Sequence, residues 1–346
     1  MKAFVLTGIK QMEMRDVPAP EIKAPDDVLV KIAAAGVCGS DIHYYKTGRI
    51  GSQVVQYPFT VGHECAGIVV KTGAAVKRVA PGALVAVEPA MACGQCDQCR
   101  AGRPHTCRRL RFLGCPGQAE GCLSEYLVMP EECCFPAGKG MSAEQAALSE
   151  PLTIGFYAAR QSLPLKGREI GILGCGPIGL SVMICARTMG AARIFVTDRL
   201  NERLKVAGNN GAGWTGNPEE ENIVEKIARE NPLLLDAVFE CCGQQSALDQ
   251  AVELLKPGGK LMLVGIPETD RVTFVIDKIR RKEICVQNVR RQCGCLRPTL
   301  ALMAGGKLKA DFMITHRFGF EQTGEAFDLV AGYADGVVKA MIGFPL

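Results

Sequence analysis

Tryptophan is almost missing from this chain, with one in 346 residues, and aromatic residues make up only 6% of it. Net charge is scarce as well: 40 basic and 36 acidic residues leave a formal charge of +4. The two densest basic clusters are Arg108, Arg109 and Arg111, and Arg280, Arg281 and Lys282. Neither has interleaved aromatics to stack on bases, so both read as solvated faces and nucleic acid is excluded as a partner. No apolar run approaches the roughly 20 residues that a membrane-spanning helix needs. The opening Met1-Lys2-Ala3-Phe4-Val5 lacks the long apolar core and cleavage site of a signal peptide. Internal repeats and low-complexity tracts are missing too. A soluble, cytoplasmic protein without a membrane partner is expected.

Cysteine, in contrast, is abundant, at 17 residues. An odd count, with several cysteines in apolar runs such as Cys185 and the Cys241-Cys242 pair, fits reduced thiols in a cytosol better than a disulfide framework. The remaining composition, 48% hydrophobic and 22% charged, is that of an ordinary globular protein. At this length two domains are the default expectation.

The pattern along the chain supports that division. Residues 1–152 are rich in Gly and Pro and in short β-branched runs, of which Val28–Ile32, Gly67–Val70 and Ala83–Val87 read as strands of a β-rich, barrel-like domain. From 153 to 289 strands and helices alternate. Glu169–Gly174, Arg193–Asp198, Leu235–Cys241, Lys260–Gly265 and Glu283–Val289 read as strands, and Ile178–Met189 and Asn201–Gly208 as helices. That alternation predicts βαβ units and a parallel sheet. Beyond 290 the pattern turns irregular, with strand-like Thr315–Phe318 and helical Phe320–Val330. Residues 290–346 are too few for a third domain. They are expected to return and complete the first, with the second inserted and a cleft between the two.

Gly174-Cys-Gly176-Pro-Ile-Gly179 follows the first strand of the inserted block and opens a helix. In that context Gly174 allows a tight turn, Gly176 lets the backbone approach a pyrophosphate, and Gly179 permits close helix–strand packing. The helix N-terminus supplies oriented N–H groups for the anion. The next strand ends at Asp198, about 20 residues on, where an acid binds the adenosine ribose hydroxyls. A carboxylate there repels a 2′-phosphate and favours NAD over NADP, although the adjacent Arg199 works the other way.

Two groups of metal-binding residues lie between Cys38 and Cys107, and they differ in character. Cys93, Cys96, Cys99 and Cys107 are spaced C-x2-C-x2-C-x7-C. Four thiolates close a tetrahedral zinc completely, so such a site is structural. It would also fold a loop that lacks its own hydrophobic core. A redox dithiol and an iron–sulfur cluster are the competing readings. Cys38, His63 and Glu64 form a mixed S/N/O set, which leaves a coordination position open for water or substrate. Taken singly, a buried small cysteine and a surface His-Glu pair are the bland alternatives.

With these residues in place, the chain resembles the zinc-dependent medium-chain alcohol dehydrogenases over essentially its whole length. The resemblance rests on Gly36–His43, Gly62-His63-Glu64, the cysteine lobe and the glycine motif. Cys38–Gly51, Glu150-Pro151-Leu152 and Thr315–Phe318 are similar to the sorbitol/xylitol (polyol) dehydrogenase branch. The resemblance implies a GroES-like β-rich catalytic domain with an inserted Rossmann domain, and two zinc ions per subunit. It implies oxidation of a secondary hydroxyl of a polyol to the ketose, with hydride transfer to NAD. Cys38, His63 and Glu64 match the ligands of the catalytic zinc, Glu150 the carboxylate beside it, and Ser40 and His43 the proton relay. Tyr44, Glu150 and Arg291 match substrate contacts. Ile178, Asp198, Arg203, Val264, Gly265, Ile266 and Val289 join the three glycines as cofactor contacts. A homo-oligomer, tetramer or dimer, is implied by family habit.

One departure is visible. Gln292 stands where sorbitol dehydrogenases show an aromatic residue, and Arg290 where they show an apolar one. A more polar or cationic sugar pocket is expected, which leaves L-threonine, another secondary alcohol or a sugar-alcohol phosphate as alternative substrates. A nucleotide-sensing relative without activity is the non-enzymatic alternative.

Overall fold

The computed structural model describes residues 1–267 and 269–345. The chain forms two compact units: 1–150 with 296–306 and 314–346, and 151–295 with 307–313. The returning segment is thus divided more finely than a single crossing at residue 290. Residues 290–295 and 307–313 pack with the second unit, and the main return starts at Leu296.

The first unit is built on a seven-stranded sheet. Its order is Cys134–Pro136, Leu84–Val87, Glu64–Thr72, Asp27–Gly36, Lys339–Gly343, Ile314–Gly319, with Tyr126–Pro130 also pairing Asp27–Gly36. The strands formed where the β-branched runs lie, and Asp27–Gly36 and Glu64–Thr72 extend beyond the apolar segments that mark them. Val28, Val30 and Ile32 alternate into a core that also holds Leu6, Val61, Val85, Leu123 and Phe327. Strand period two places these side chains on one face. The C-terminal strand Lys339–Gly343 lies beside Asp27–Gly36, with Met341 opposite Gly36. Glu64 is opposite Gly36 from the other side. Three distant segments of chain therefore meet at Gly36.

The second unit contains a six-stranded sheet in the order Trp214–Gly216, Arg193–Thr197, Glu169–Leu173, Leu235–Glu240, Leu255–Leu263, Cys285–Asn288. All five pairings are parallel. Numbered along the chain this is 3-2-1-4-5-6, so the winding reverses between Glu169–Leu173 and Leu235–Glu240. At such a reversal the loops leaving the carboxyl ends of the two strands diverge and open a crevice. Both central strands are almost wholly buried, as continuous apolar strands in a parallel sheet must be.

Two long elements were not legible in the pattern. Ala143–Gln161 is a 19-residue helix that carries Pro151 in its interior. Leu296–Ala304 is a helix within the stretch that reads as irregular, with Pro298 in its first turn. Proline is tolerated there because the first-turn N–H groups have no helical partner.

Candidate functional site

The turn after Val37 starts a short helix, Gly39–Thr47, with Cys38 at its N-cap. Asp41, three residues on, turns back to accept the Cys38 N–H through Oδ2 at 3.3 Å. Its other oxygen accepts the Gly62 N–H at 3.2 Å and lies 3.3 Å from His63 Nδ1. Asp41 is fully buried. One carboxylate thus fixes the backbone of both loops and the ring of His63, leaving the ring's Nε2 for another ligand. A histidine oriented by a carboxylate in this way is characteristic of metal sites. The sequence reading missed Asp41, although its i+3 spacing from Cys38 was the available signal.

The ligand atoms of Cys38, His63 and Glu64 all lie within 4.8 Å of one another. His63 and Glu64 are buried and Cys38 is partly so. Gly36 makes room for them: a Cβ there would stand 2.3 Å from Glu64 Oε2. Lys339 arrives from the C-terminal strand. It donates to Val37 O at 3.0 Å and to both Glu64 oxygens at 2.8 and 2.6 Å. Nothing in the local sequence pointed to this lysine.

The electrostatics ask for positive charge. Burial opposes an imidazolium at His63, yet Asp41 and then Cys38 outweigh it and hold the ring well above its ordinary value. Burial pushes the Glu150 carboxyl up to about 8, a rise that His63 limits and Glu64 and Glu88 reinforce. A thiol, an imidazole and a carboxylate whose surroundings favour a cation suit a divalent ion of zinc type.

The remaining residues expected near this set divide. Ser40 Oγ donates to Cys38 Sγ at 3.3 Å and so borders the ligands. His43 is half-buried one turn along the same helix. Tyr44 is buried, and its hydroxyl donates to Gln53 Oε1 at 3.0 Å with Cys115 Sγ at 3.8 Å.

In the second unit, Arg291 holds φ +54, a left-handed backbone unusual for a long side chain. Backbone outliers of that kind cluster at functional sites. Gln292 is buried, and its Oε1 accepts the Cys295 N–H at 2.8 Å.

The cysteine lobe has the dimensions of a filled site. Sulfurs about 2.3 Å from a central zinc lie about 3.8 Å apart in a tetrahedron. Cys96 Sγ lies 3.5 Å from that of Cys99 and 3.8 Å from that of Cys107. Backbone N–H groups of Cys93 and Arg109 both reach Cys107 Sγ at 3.3 Å. The Gln95 amide leads the contacts that hold the Cys93 thiol down at about 6, while burial and the neighbouring Cys96 thiol push Cys99 up to about 12.

The glycine turn sits at the winding reversal of the parallel sheet. Gly174 has φ +92, and a Cβ there would meet Cys242 Cβ at 2.8 Å. Gly179 packs so closely that a Cβ would stand 1.9 Å from Gly174 O. Pro177 opens the following helix, Pro177–Thr188, with Gly176 as its N-cap and Ile178 in its first turn. Arg203 is buried, with Nη1 3.3 Å from where a Gly176 Cβ would be. Asp198 closes the loop, accepting the Cys175 N–H at 2.7 Å and the Leu200 N–H at 3.0 Å. Arg199 turns to Glu219 at 2.9 Å. Val264 and Gly265 donate to Glu240 O, and Val289 to Leu263 O, each at 2.9 Å. A Cβ on Gly243 would meet Ile266 O at 2.4 Å, which places these expected cofactor contacts around the same carboxyl ends.

Residues 24–139 match the model of the alcohol dehydrogenase GroES-like domain, and 177–304 that of the zinc-binding dehydrogenases. Sorbitol dehydrogenase of Bacillus subtilis (strain 168) is 34% identical over 99% of this chain and 97% of its own. D-xylulose reductase A of Aspergillus oryzae is 31% identical over 94% of this chain and 92% of its own. A Sinorhizobium meliloti 1021 protein of the zinc-binding dehydrogenase type, solved bound to NADP, superposes with a TM-score of 0.90 at 32% identity. That comparison covers 99% of this chain and 98% of the other.

Proposed function

Because this chain belongs to the zinc-dependent medium-chain alcohol dehydrogenases, we propose that it oxidises a secondary hydroxyl of a sorbitol- or xylitol-type polyol to the ketose, passing hydride to NAD. The observation that carries the reading is the convergence of Cys38, His63 and Glu64 on one small volume. Those three residues would hold the catalytic zinc, which supplies Lewis acidity toward a substrate hydroxyl. The first unit is then the catalytic domain and the second the cofactor domain.

Ser40, beside the ligand set, receives the hydroxyl proton, and the half-buried His43 passes it toward solvent. Burial raises the Glu150 carboxyl above the usual carboxylate range, so it can give or take a proton beside the ligands. Tyr44 and Arg291 orient the polyol. The turn Gly174–Gly179 receives the pyrophosphate, with Ile178 and Arg203 alongside, and Val264, Gly265, Ile266 and Val289 border the rest of the dinucleotide. Asp198 binds the adenosine ribose, and its charge favours NAD over NADP. The cysteine lobe holds a second zinc, which only braces its loop.

The location is the cytoplasm, in keeping with seventeen free thiols. No helix among the described residues is long and apolar enough to cross a membrane. The working form is a homo-oligomer. The edge strand Cys285–Asn288 leaves Cys285 and Val286 exposed, and such an unpaired edge favours association.

The test is a substrate panel followed by NADH absorbance, with xylitol, sorbitol, ribitol, galactitol, threonine and polyol phosphates, on the native chain and on His63→Ala. Turnover of an unphosphorylated polyol that His63→Ala abolishes, with NADH binding intact, is expected. Appreciable activity in His63→Ala, or turnover of threonine alone, would overturn the reading.

A further inference from the structure

Lys339 is among the most deeply buried charged side chains of the described residues, 1% exposed, and Glu64 is its one charged hydrogen-bond partner. Its ammonium donates to the Val37 carbonyl and to both oxygens of Glu64, itself 1% exposed. Cys38 and Glu150 also act on its charge. Burying a lysine in this way is costly, and a well-packed apolar pair would usually serve stability as well or better. The ammonium is therefore better explained by what it does to Glu64 than by what it adds to the core.

Glu64 is the hard donor in the proposed ligand set. A carboxylate with both oxygens engaged by an ammonium has less electron density to offer a metal than a free one. The charge count points the same way. A thiolate from Cys38 and a carboxylate from Glu64 neutralise a divalent ion. The ligand set then needs no further charge, so the ammonium acts on the Glu64 oxygens it touches. Strand register sets the arrangement: Gly36 lies opposite Glu64 on one side and Met341 on the other, which brings the strand that carries Lys339 alongside.

We propose that Lys339 is a positioning residue that restrains Glu64 as a metal ligand, so that the metal is held less tightly and stays more acidic toward a substrate hydroxyl. This rests on the assignment of Cys38, His63 and Glu64 as the catalytic ligands. It gives the C-terminal strand a part in the chemistry beyond completing the sheet.

The prediction has an unusual sign. Removing a buried group beside a metal site normally loosens the metal. Here Lys339→Met should tighten it, slowing loss of the catalytic-site zinc to excess dipicolinate by about ten-fold, within the range over which such outer partners tune a site. Lys339→Arg should speed that loss, because a guanidinium grips the carboxylate through two parallel hydrogen bonds. The same order should appear as shifts of the visible absorption bands of the cobalt-substituted protein. In a Glu64→Gln background, Lys339→Met should have no further effect.

Unchanged or faster metal loss in Lys339→Met would overturn the proposal and leave the lysine a packing group. Should that variant fail to fold, unchanged release from Lys339→Arg would overturn it equally. Failure of the underlying assignment is separately visible, because the native protein would then carry no metal that Cys38→Ser removes.

Discussion

Asp41 offers the sharpest test of how this site is held. Its carboxylate accepts three hydrogen bonds, from Cys38 N at 3.3 Å, Gly62 N at 3.2 Å and His63 Nδ1 at 3.3 Å. Asp41→Asn keeps the volume and one acceptor oxygen. Retaining the oxygen toward Gly62 and His63 turns the amide NH2 against the Cys38 N–H, so two donors face each other; the flipped amide makes the opposite error. Either way a buried donor loses its partner, at a cost of about 1–3 kcal/mol. The imidazole also loses the negative charge that keeps it a strong ligand. A loss of about 2 kcal/mol from ligand orientation corresponds to a fall in kcat/KM of roughly 30-fold, within the 10–100-fold typical of such outer partners. The assay is polyol oxidation by NADH absorbance together with zinc content. Metal analysis should show partial loss at the mixed site and full retention in the cysteine lobe. If Asp41 only caps the helix Gly39–Thr47, the melting temperature falls but kcat/KM stays within two-fold and the zinc is kept. That result would refute the reasoning.

Three further outcomes follow from the geometry. Metal analysis of the native chain should give two zinc ions, and Cys99→Ser should leave one and lower the melting temperature without impairing NADH binding; two zincs in that variant would rule out a filled lobe. Asp198→Ala removes two backbone contacts and the repelling charge, so the ratio of NAD to NADP efficiency should fall by about ten-fold or more, and an unchanged ratio counts against its ribose role. At Asp236 burial works against the carboxylate, but Lys256, the Glu169 amide and Arg168 hold its carboxyl below the usual range. A depressed carboxyl stabilises the fold above its unfolded value near 4, and that stabilisation is lost as pH falls further. Asp236→Asn should therefore cost about 1–2 kcal/mol at pH 7, and the gap to the native chain should narrow in thermal unfolding as pH falls below the unfolded value near 4; an unchanged deficit in acid would remove the carboxylate from the account.

Much of the fold was legible because its signals are local. The Rossmann-type strands are short apolar runs between glycine-rich turns, and five of the six were found to within a few residues, Trp214–Gly216 being the one not read. Leu255–Leu263 was the poorest of them: Lys256, Pro257, Gly258 and Gly259 hide its first half. The helix Leu296–Ala304 and the split return of the chain were not legible, since Pro298 and Gly294 read as turn signals unless the packing partner is known. Strand ends in the first unit were underestimated as well, because pairing continues past the apolar stretch. Asp27–Gly36 gains its last residues from contact with the C-terminal strand.

The same division runs through the site. The amino-acid sequence alone determined the four-cysteine lobe, whose ligands lie within 15 residues, and the glycine turn with its acid, which are consecutive parts of one βαβ unit. It also contained Cys38, His63 and Glu64, though their meeting was an expectation until the sheet brought Gly36 opposite Glu64. Only the tertiary structure decided what surrounds them. Asp41 becomes an orienting group because two loops converge on its carboxylate, and Gln292 is drawn into its own turn. Lys339, 275 residues from Glu64, becomes its partner through strand pairing at the far end of the chain. Ligand identity is written in residue type and short spacing, which the chain carries with it wherever it folds. Ligand strength depends on charges and hydrogen bonds from distant segments, and those exist only after the strands have paired.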